Sequence, residues 1–163
     1  MKGVFTLKIY SLRRRIAERL SNKFNEKRVN EIGPDLACLE WLMECGSTEV
    51  DASDSAIANE GFKYFRDLRH LELLKMNFCD YFDDDAIREL ALGRPAATLR
   101  DLEIVLNPSV SDGAVYWLSR LTALRRAHFY FLPYVSNRQW FIRQLKLALP
   151  RSEVIPFNSS YSC

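Results

Sequence analysis

The sequence predicts an α/β fold, a leucine-rich-repeat solenoid of about four short units with a small helical N-terminal cap. The main observation is one spaced apolar pattern that occurs twice, 28 residues apart, with the same intervals in both copies. Cys79 and Asn107 hold the same place in the two copies, where such repeats carry a Cys or Asn after a short strand. The composition, with 48% hydrophobic and 27% charged residues, is that of an ordinary globular domain. The two copies are Leu71, Leu74, Met76, Cys79, Phe82, Asp84, Ile87, Leu90 and Leu99, Leu102, Ile104, Asn107, Val110, Asp112, Val115, Leu118.

The start of the chain is a basic segment that differs from the rest. Residues 1–23 contain seven lysines and arginines and one acidic residue, Glu18. Leu12, Ile16 and Leu20 recur every four residues, as one stripe of an amphipathic helix does. This pattern predicts a mitochondrial targeting-like segment, and the alternative is a basic surface helix of the folded domain. The chain has neither the unbroken apolar stretch of a secretory signal nor the roughly 18 apolar residues of a membrane span.

The charge of the remaining 140 residues limits the kinds of partner. They hold 16 basic and 20 acidic side chains, a formal charge of −4. Because phosphate binding needs a basic face, this balance argues against nucleic acid as the main partner. Repeats of short strands and helices build a surface for another macromolecule, so we expect a binding protein.

Residues 24–47 are predicted to form a small helical N-terminal domain. Pro34 suits the first turn of a helix, because the N–H that proline lacks would be unpaired there. Apolar residues follow at helical spacing, and Gly46 is the expected C-terminal stop. Such a domain would cap the apolar end of a stack of repeats.

The leucine-rich-repeat domain is predicted to occupy residues 48–150. A degenerate first unit begins near Val50, and we expect Ser53 to stand where Cys79 stands in the next unit. The two clear units follow it. Each unit alone cannot hide its apolar side, so the units are expected to stack.

A fourth unit is predicted at the C-terminal end of this domain. It begins at Leu124, and Pro150 ends its helix. The segment 151–163 is short and polar, and we expect it to form an irregular tail.

The four cysteines do not predict a metal or redox site. None lies in a Cys-x-x-Cys pair, and no histidine or second cysteine stands at zinc-ligand spacing. Cys79 occupies the inward-turning position of the repeat, where a thiol acts as a small apolar side chain. We therefore interpret Cys79, like Asn107, as a structural repeat position.

The acidic cluster from Asp83 to Asp85 allows two interpretations. The first is a divalent-metal or acid–base site of a hydrolase. The second is helix capping, because Asp84 precedes an apolar helix and carboxylates favour helix N-termini. Asp112 holds the same place in the next unit, and a position that recurs with the fold favours the structural role.

No catalytic motif accompanies the two histidines, His70 and His128. Neither stands at a recognisable spacing from a nucleophilic Ser or Cys. The chain also lacks the GxSxG, P-loop and GxGxxG motifs. We therefore predict that the protein is not an enzyme.

Two strings of residues are more specific than the repeat itself. They are Ile32-Gly33-Pro34-Asp35 with Glu40-Trp41-Leu42 and Cys45-Gly46, and Val50-Asp51-Ala52-Ser53-Asp54-Ser55. With them, the stretch from Asn22 to Pro150 resembles the mitochondrial coupling factor B (ATP synthase subunit s) family. It is also similar to the paralogous assembly factor for the distal membrane arm of respiratory complex I.

The resemblance implies a small N-terminal domain followed by four leucine-rich-repeat units, with no catalytic activity. It implies peripheral association with the mitochondrial inner membrane on its matrix side, and partners among the ATP synthase subunits. The implied role is to support the coupling of proton transport to ATP synthesis. The family is also described as binding magnesium, at positions that correspond to Gly46 and Ser53, and oxygen ligands of this kind suit a hard cation.

The sequence departs from the family at two places. Only residues 47–50 separate Cys45-Gly46 from Asp51-Ala52, where family members usually carry a longer insertion. Asn77-Phe78-Cys79 stands where the family has a Cys-x-Cys dithiol, so that dithiol is absent here.

Two other functions stay open at this point. The first is an assembly factor for the membrane arm of complex I, which keeps the fold and changes the partner. The second is an F-box-like ubiquitin-ligase substrate adaptor, since similar Cys-type repeats occur in F-box proteins. That adaptor needs an F-box, for which residues 24–47 are short.

Overall fold

The computed structural model describes residues 26–44 and 46–155 of the chain. The basic segment predicted at residues 1–23 lies outside them, as does the end of the chain from residue 156. The helices of the described part are α1 (Glu26–Ile32), α2 (Pro34–Glu44), α3 (Phe62–Phe65), α4 (Asp84–Leu92), α5 (Pro95–Thr98), α6 (Ala114–Leu118) and α7 (Arg138–Ala148), with a 3-10 turn at Asn59–Gly61. The strands are β1 (Glu49–Asp51), β2 (Leu73–Lys75), β3 (Asp101–Val105), β4 (Arg126–Tyr130) and β5 (Glu153–Ile155).

These strands form one parallel sheet whose order follows the chain, β1-β2-β3-β4-β5. Parallel neighbours need a crossover, and a helix-containing segment links each strand to the next. We call a strand with the loop and helices that follow it a unit. The register is uniform across the sheet: Val50 pairs with Leu74, Leu74 with Leu102, Leu102 with Ala127, and Ala127 with Val154.

The helices form a second layer in which neighbours in sequence are neighbours in space. α2 contacts α3, α3 contacts α4, α4 contacts α6, and α6 contacts α7. The predicted α/β class is confirmed, with a parallel sheet covered by a row of short helices. No helix in the described part of the chain combines the length and the apolarity needed to cross a bilayer.

Glycines in the left-handed conformation end both N-terminal helices. Gly33, with φ +85°, follows α1, and its N–H donates to the carbonyl of Val29 at 2.9 Å. Gly46, with φ +78°, follows α2, and the next N–H, that of Ser47, donates to the carbonyl of Leu42 at 3.0 Å. Glycine reaches this conformation without the clash that a Cβ atom causes, which is why it closes helices.

The core lies between the sheet and the helix layer. Successive side chains of a strand point to opposite sides, so every second strand residue faces the helices. The paired row of Val50, Leu74, Leu102, Ala127 and Val154 is buried, and none of its members is more than 6% exposed. Two residues further along the strands, Met76, Ile104 and Phe129 continue the core, each at most 1% exposed.

Each of the first four strands is followed by a residue in the same left-handed backbone conformation. Asp54, Phe78, Leu106 and Phe131 have φ values of 57°, 58°, 55° and 52°, and each stands four residues after its member of the paired row. For a residue other than glycine this conformation costs roughly 1–2 kcal/mol, so the surrounding packing must impose it. Its recurrence gives four successive units the same turn out of the sheet.

The register corrects the placement of Ser53. Because Val50 pairs with Leu74, it is Ser55 that corresponds to Cys79, and its hydroxyl lies 4.0 Å from the Cys79 sulfur. Ser53 instead corresponds to Asn77, whose N–H donates to the Ser53 hydroxyl at 3.2 Å. The prediction for Ser53 was wrong because the first unit is short, and only strand pairing fixes the register of a short unit.

The expected tail also needs correction. Glu153–Ile155 forms β5 at the edge of the sheet, and Val154 is only 5% exposed. The N–H of Glu153 donates to the carbonyl of Arg125 at 2.7 Å. The tail prediction was wrong at residues 153–155, because the edge of β4 offers unpaired backbone groups that even a three-residue strand satisfies.

Candidate binding surface

The outward side chains of the sheet form two rows, which we call the strand face. Alternation places them on the side opposite the core. The rows are Glu49, Leu73, Asp101, Arg126, Glu153 and Asp51, Lys75, Glu103, His128, Ile155. Five of these side chains are acidic and two are basic, so the strand face carries net negative charge.

One ion pair links neighbouring strands on the strand face. Arg126 Nη2 donates to Asp101 Oδ2 at 3.0 Å, and Arg126 Nε donates to the other carboxylate oxygen. The hydrogen bond to Asp101 raises the pKa of Arg126 above its usual value. Because the guanidinium is exposed, the pair orients these side chains more than it stabilises the fold.

A shallow depression of about 260 Å³ opens on the strand face. Leu73 and Ile155 contribute apolar surface to it, and Lys75, Glu103 and His128 contribute charge or hydrogen-bonding groups. Small-molecule sites are concave and bury most of their ligand, whereas this depression lies open on a sheet. Its mixture of apolar and charged groups is typical of a protein-binding surface.

A second exposed surface follows the strands, and we call it the strand-end ridge. It consists of Phe78, Leu106 and Phe131, with Asp54 and Asp80 at its side, and it lines an open groove of about 510 Å³. The two phenylalanines are each 56% exposed. The left-handed backbone holds these aromatic side chains out of the core, and exposed aromatic residues at fixed positions are typical of interface anchors.

Asn107 joins its unit to the preceding one from inside the protein. Its side chain is fully buried, and Nδ2 donates to the carbonyls of Cys79 at 2.7 Å and Phe82 at 3.1 Å. Its Oδ1 accepts from the N–H groups of Ser109 and Val110, both at 2.8 Å. A buried amide with four partners fixes the loop on both sides of it, because each of these groups would otherwise be desolvated and unpaired.

Cys79 corresponds to Asn107 in the register, since each stands five residues after its paired leucine. Its side chain is buried, and the sulfur lies 3.4 Å from the carbonyl oxygen of Ala52 and 3.3 Å from that of Asn77. The thiol therefore makes the contact to the preceding unit that the amide makes one unit later, with weaker hydrogen bonds.

Asp83 and Asp84 of the acidic cluster make different contacts. Asp83 is the N-cap of α4, and its side chain accepts from the N–H of Asp85 at 2.8 Å. Asp84 accepts instead from the next unit, from the N–H of Ser111 at 2.9 Å and from its hydroxyl at 2.5 Å. The capping prediction for Asp84 was wrong by one residue, because the helix begins at Asp84 and the extended residue before it is the cap.

Asp112 repeats the contact of Asp84 one unit later. Its carboxylate accepts from the N–H of Ser136 at 3.0 Å, from the hydroxyl of Ser136, and from the N–H of Asn137 at 3.3 Å. The residue before α6 is Gly113, so Asp112 is not the cap of that helix either. Burial raises the pKa of Asp112, but the hydrogen bonds from Ser136 and Asn137 outweigh it and hold the pKa below its usual value.

Comparison with curated proteins finds mitochondrial relatives that align with most of the chain. ATP synthase subunit s, mitochondrial, from Homo sapiens is 27% identical over an alignment of 161 positions that covers 82% of this chain and 80% of that protein. The proteins of the same name from Mus musculus and Bos taurus are 27% and 24% identical with the same coverage. The resemblance to coupling factor B is confirmed. No protein-family model matches the chain.

The coupling factor B resemblance assigns magnesium to Gly46 and Ser53, of which Ser53 lines a cleft. The Ser53 hydroxyl accepts from the N–H of Asn77 and hydrogen bonds to Asp51, which lowers the pKa of Asp51. Gly46 is absent from the lining of the cleft of about 240 Å³ at Ser53. Magnesium demands near-octahedral oxygen coordination, usually with a carboxylate that is free to bind it. Magnesium binding at Gly46 and Ser53 stays a prediction.

The other candidates for chemistry do not converge either. Within residues 26–44 and 46–155, no group of three or more His, Cys, Asp or Glu side chains is placed to hold a metal ion. His70 is exposed before β2, and His128 is half-buried on the strand face. The side chains of Asp83, Asp84 and Asp85 accept from Asn59, Ser111 and Arg88, respectively, so these carboxylates are already engaged in structural contacts.

The sequence carries a signal for one of these two exposed surfaces. The strand face has a sequence signal, because Asp101 and Glu103 alternate with apolar residues in β3. The strand-end ridge has none, because an aromatic residue next to a core position such as Cys79 is ordinarily assigned to the core. Only the positive φ of Phe78 turns it outward.

Proposed function

We propose that this chain is a non-catalytic leucine-rich-repeat protein of the mitochondrial inner membrane, on its matrix side. It docks on ATP synthase subunits and supports the coupling of proton transport to ATP synthesis. The similarity to proteins named ATP synthase subunit s, over 82% of this chain and 80% of theirs, is the observation that carries this proposal.

The recurring geometry supports the solenoid part of the proposal. The residue that turns out of the sheet stands four positions after the paired row in all of the first four units. The next position holds Ser55, Cys79 and Asn107 in the first three units, and the last two bind backbone of the preceding unit. Each unit thus fits on its neighbour through the same few groups, as in stacked repeats.

The exposed surfaces support the docking part. A binding protein without a reactive centre needs a rigid platform with polar groups and aromatic anchors. The strand face supplies the polar groups on regular strands, and Phe78 and Phe131 of the strand-end ridge supply the anchors. The net negative charge of the strand face favours a basic patch on the partner.

Immunocapture from detergent-solubilised mitochondrial inner membrane tests the proposal. The full chain is expected to recover ATP synthase subunits. Glu103→Lys reverses a charge at the centre of the strand face and is expected to reduce that recovery, because it opposes a basic partner. Glu60→Lys makes the same change at an exposed residue of the 3-10 turn and serves as the matched control.

Three outcomes would contradict the proposal. Recovery of complex I subunits without ATP synthase would favour the assembly-factor function. Recovery of ubiquitin-ligase subunits would favour the adaptor function. Equal recovery with Glu103→Lys and Glu60→Lys would remove the strand face from the interface.

Magnesium binding at Gly46 and Ser53 has a separate test. Calorimetric titration of the full chain with magnesium chloride should show a saturable heat if the site exists. Ser53→Ala should abolish that heat, and Ser109→Ala, which removes an exposed hydroxyl elsewhere, should leave it unchanged.

A further inference from the structure

The charge of the folded part is divided along the chain. Residues 113–152 contain seven lysines and arginines and no aspartate or glutamate, whereas residues 26–112 contain nine basic and nineteen acidic residues. The formal charge of −4 for the 140 residues after residue 23 is the sum of a basic and an acidic region, so it shows neither of them. The acid-free region includes α6, β4 and α7, so it forms one end of the row of units.

The last helix of that end, α7, is apolar on two opposite sides. Phe141 and Leu145 are fully buried against the core. On the other side, Trp140 is 42% exposed and Leu147 is 67% exposed. Exposed apolar side chains that are grouped on one helix face, unlike single ones scattered over a surface, mark a contact with a second environment.

Basic side chains surround these exposed apolar groups. Arg143 and Lys146 lie with Ile142 and Leu147 along one open groove on the outer side of α7. The helix contains no acidic residue. Its outer face therefore combines a tryptophan, a leucine and two cations, the combination found on helices that lie in a membrane interface.

The neighbouring helix continues the same chemistry. Tyr116 on α6 is 54% exposed. The guanidinium of Arg120, two residues after the end of α6, lies 4.7 Å from the centre of the Tyr116 ring. The same guanidinium lies 5.5 Å from the ring of Trp117. Because α6 and α7 pack against each other, their aromatic and basic side chains belong to one end of the molecule.

We propose that the outer face of α7 docks on an anionic phospholipid surface. Trp140 and Leu147 enter the headgroup region, and Arg143 and Lys146 contact lipid phosphates. The location of that lipid, at the mitochondrial inner membrane, rests on the proposed function. This contact would leave the strand face, on the other side of the sheet, available to a protein partner.

The apolar side chains favour a lipid surface over nucleic acid. Aromatic and basic groups alone would suit either one, because bases stack on aromatic rings and phosphates bind cations. Leu147 and Ile142 are aliphatic and offer no ring on which a base could stack. A bilayer accepts such side chains below the plane of its phosphates.

Vesicle flotation with the full chain tests this proposal. The probes are vesicles of phosphatidylcholine alone and of phosphatidylcholine mixed with phosphatidylglycerol. A basic side chain at an anionic surface strengthens binding about fivefold, so the double variant Arg143→Gln/Lys146→Gln is expected to bind the mixed vesicles roughly 25-fold more weakly. Leu147→Ser is expected to weaken binding as well, through the lost apolar contact.

A matched variant separates this site from general charge effects. Lys63→Gln/Arg69→Gln removes two exposed basic side chains from the acidic part of the chain and gives the same net charge. Its binding should equal that of the unchanged protein, and any contribution of residues 1–23 is the same in both variants. Thermal unfolding of each variant verifies that the fold is kept.

Fluorescence quenching by brominated lipid locates the contact. Quenching of the protein by mixed vesicles should be strongly reduced with Trp140→Phe and persist with Trp41→Phe, because Trp41 lies on α2 at the opposite end of the helix row. The proposal fails if Trp140→Phe leaves quenching intact or if the two charge variants bind equally. It also fails if the protein binds a single-stranded oligonucleotide and not the vesicles.

These outcomes are independent of the proposed function. The vesicles contain no protein, so loss of ATP synthase capture with normal vesicle binding would contradict the proposed function and leave the lipid surface standing. Normal ATP synthase capture, with equal vesicle binding by the two charge variants, would contradict the lipid surface and leave the proposed function standing.

Discussion

The buried amide of Asn107 and the backbone of Cys79 are joined by a hydrogen bond of 2.7 Å across two successive units. The two residues also correspond in the sheet register, since each follows its paired leucine by five positions. The same position of the unit thus supplies the side-chain donor in one unit and the backbone acceptor in the unit before it. Stacking of the units therefore depends on that position, and its substitution is the most direct test of the fold.

Asn107→Ala is expected to lower the free energy of unfolding by about 3 kcal/mol. It leaves the Val110 N–H and the carbonyls of Cys79 and Phe82 buried without their partner, and each such loss costs about 1 kcal/mol. Urea denaturation followed by circular dichroism measures the change. Ser109→Ala, an exposed neighbour, should change stability by less than about 0.5 kcal/mol, and equal effects of the two substitutions would contradict the role of Asn107.

Asp112→Ala is expected to reduce stability by about 1 kcal/mol near neutral pH, because solvent screens the charge of this partly exposed carboxylate. The folded state lowers the pKa of Asp112, so its stabilising effect is present above the unfolded-state pKa of about 3.9. That effect is lost as the pH falls through the lower pKa of the folded state. Urea midpoints should thus differ at neutral pH and converge in strong acid.

Ser136→Ala provides the control for the Asp112 prediction. It removes the hydroxyl that donates to the carboxylate and should reproduce part of the same pH dependence. A difference between Asp112→Ala and the unchanged protein that stays constant down to strong acid would show that the carboxylate charge is not involved.

Gly93→Ala is expected to destabilise the fold by about 1–3 kcal/mol through steric overlap. A Cβ atom there would lie 2.6 Å from the carbonyl oxygen of Arg66 and 2.7 Å from its Cα, and a backbone cannot move aside as a side chain does. Leu92→Ala alters the adjacent residue, which is 45% exposed, and should have a much smaller effect. Thermal unfolding of both variants measures the difference, and a neutral Gly93→Ala would rule out this close approach.

Val154→Ser is expected to cost about 2 kcal/mol, because it replaces a buried apolar side chain with a hydroxyl. The substitution tests whether β5 belongs to the folded sheet. Glu153→Gln changes the exposed preceding residue and should be neutral. If both substitutions were neutral in urea denaturation, residues 153–155 would behave as the irregular tail that the sequence predicts.

Spacing in the sequence located some features correctly and misplaced others by a residue or two. Cys79 and Asn107 were matched because two long units share every interval. Ser53 was matched to Cys79 because the first unit is shorter and its strand has only three residues, too few for a reliable pattern. The cap of α4 was assigned to Asp84, because three consecutive aspartates offer the same chemistry and only backbone conformation distinguishes them.

Apolar spacing along the chain is enough to predict the α/β class and the repeated units, since it reflects which side chains must leave water whatever their partners are. Tertiary structure decided the register of the first unit, the fifth strand and the direction of Phe78, Leu106 and Phe131. These features depend on backbone hydrogen bonds between strands that are far apart in the chain, and such pairing is not encoded in any single segment. The exposed face of α7 could be identified only from sequence and structure together. The sequence shows that the helix has no acidic residue, and packing decides which of its sides turns away from the core.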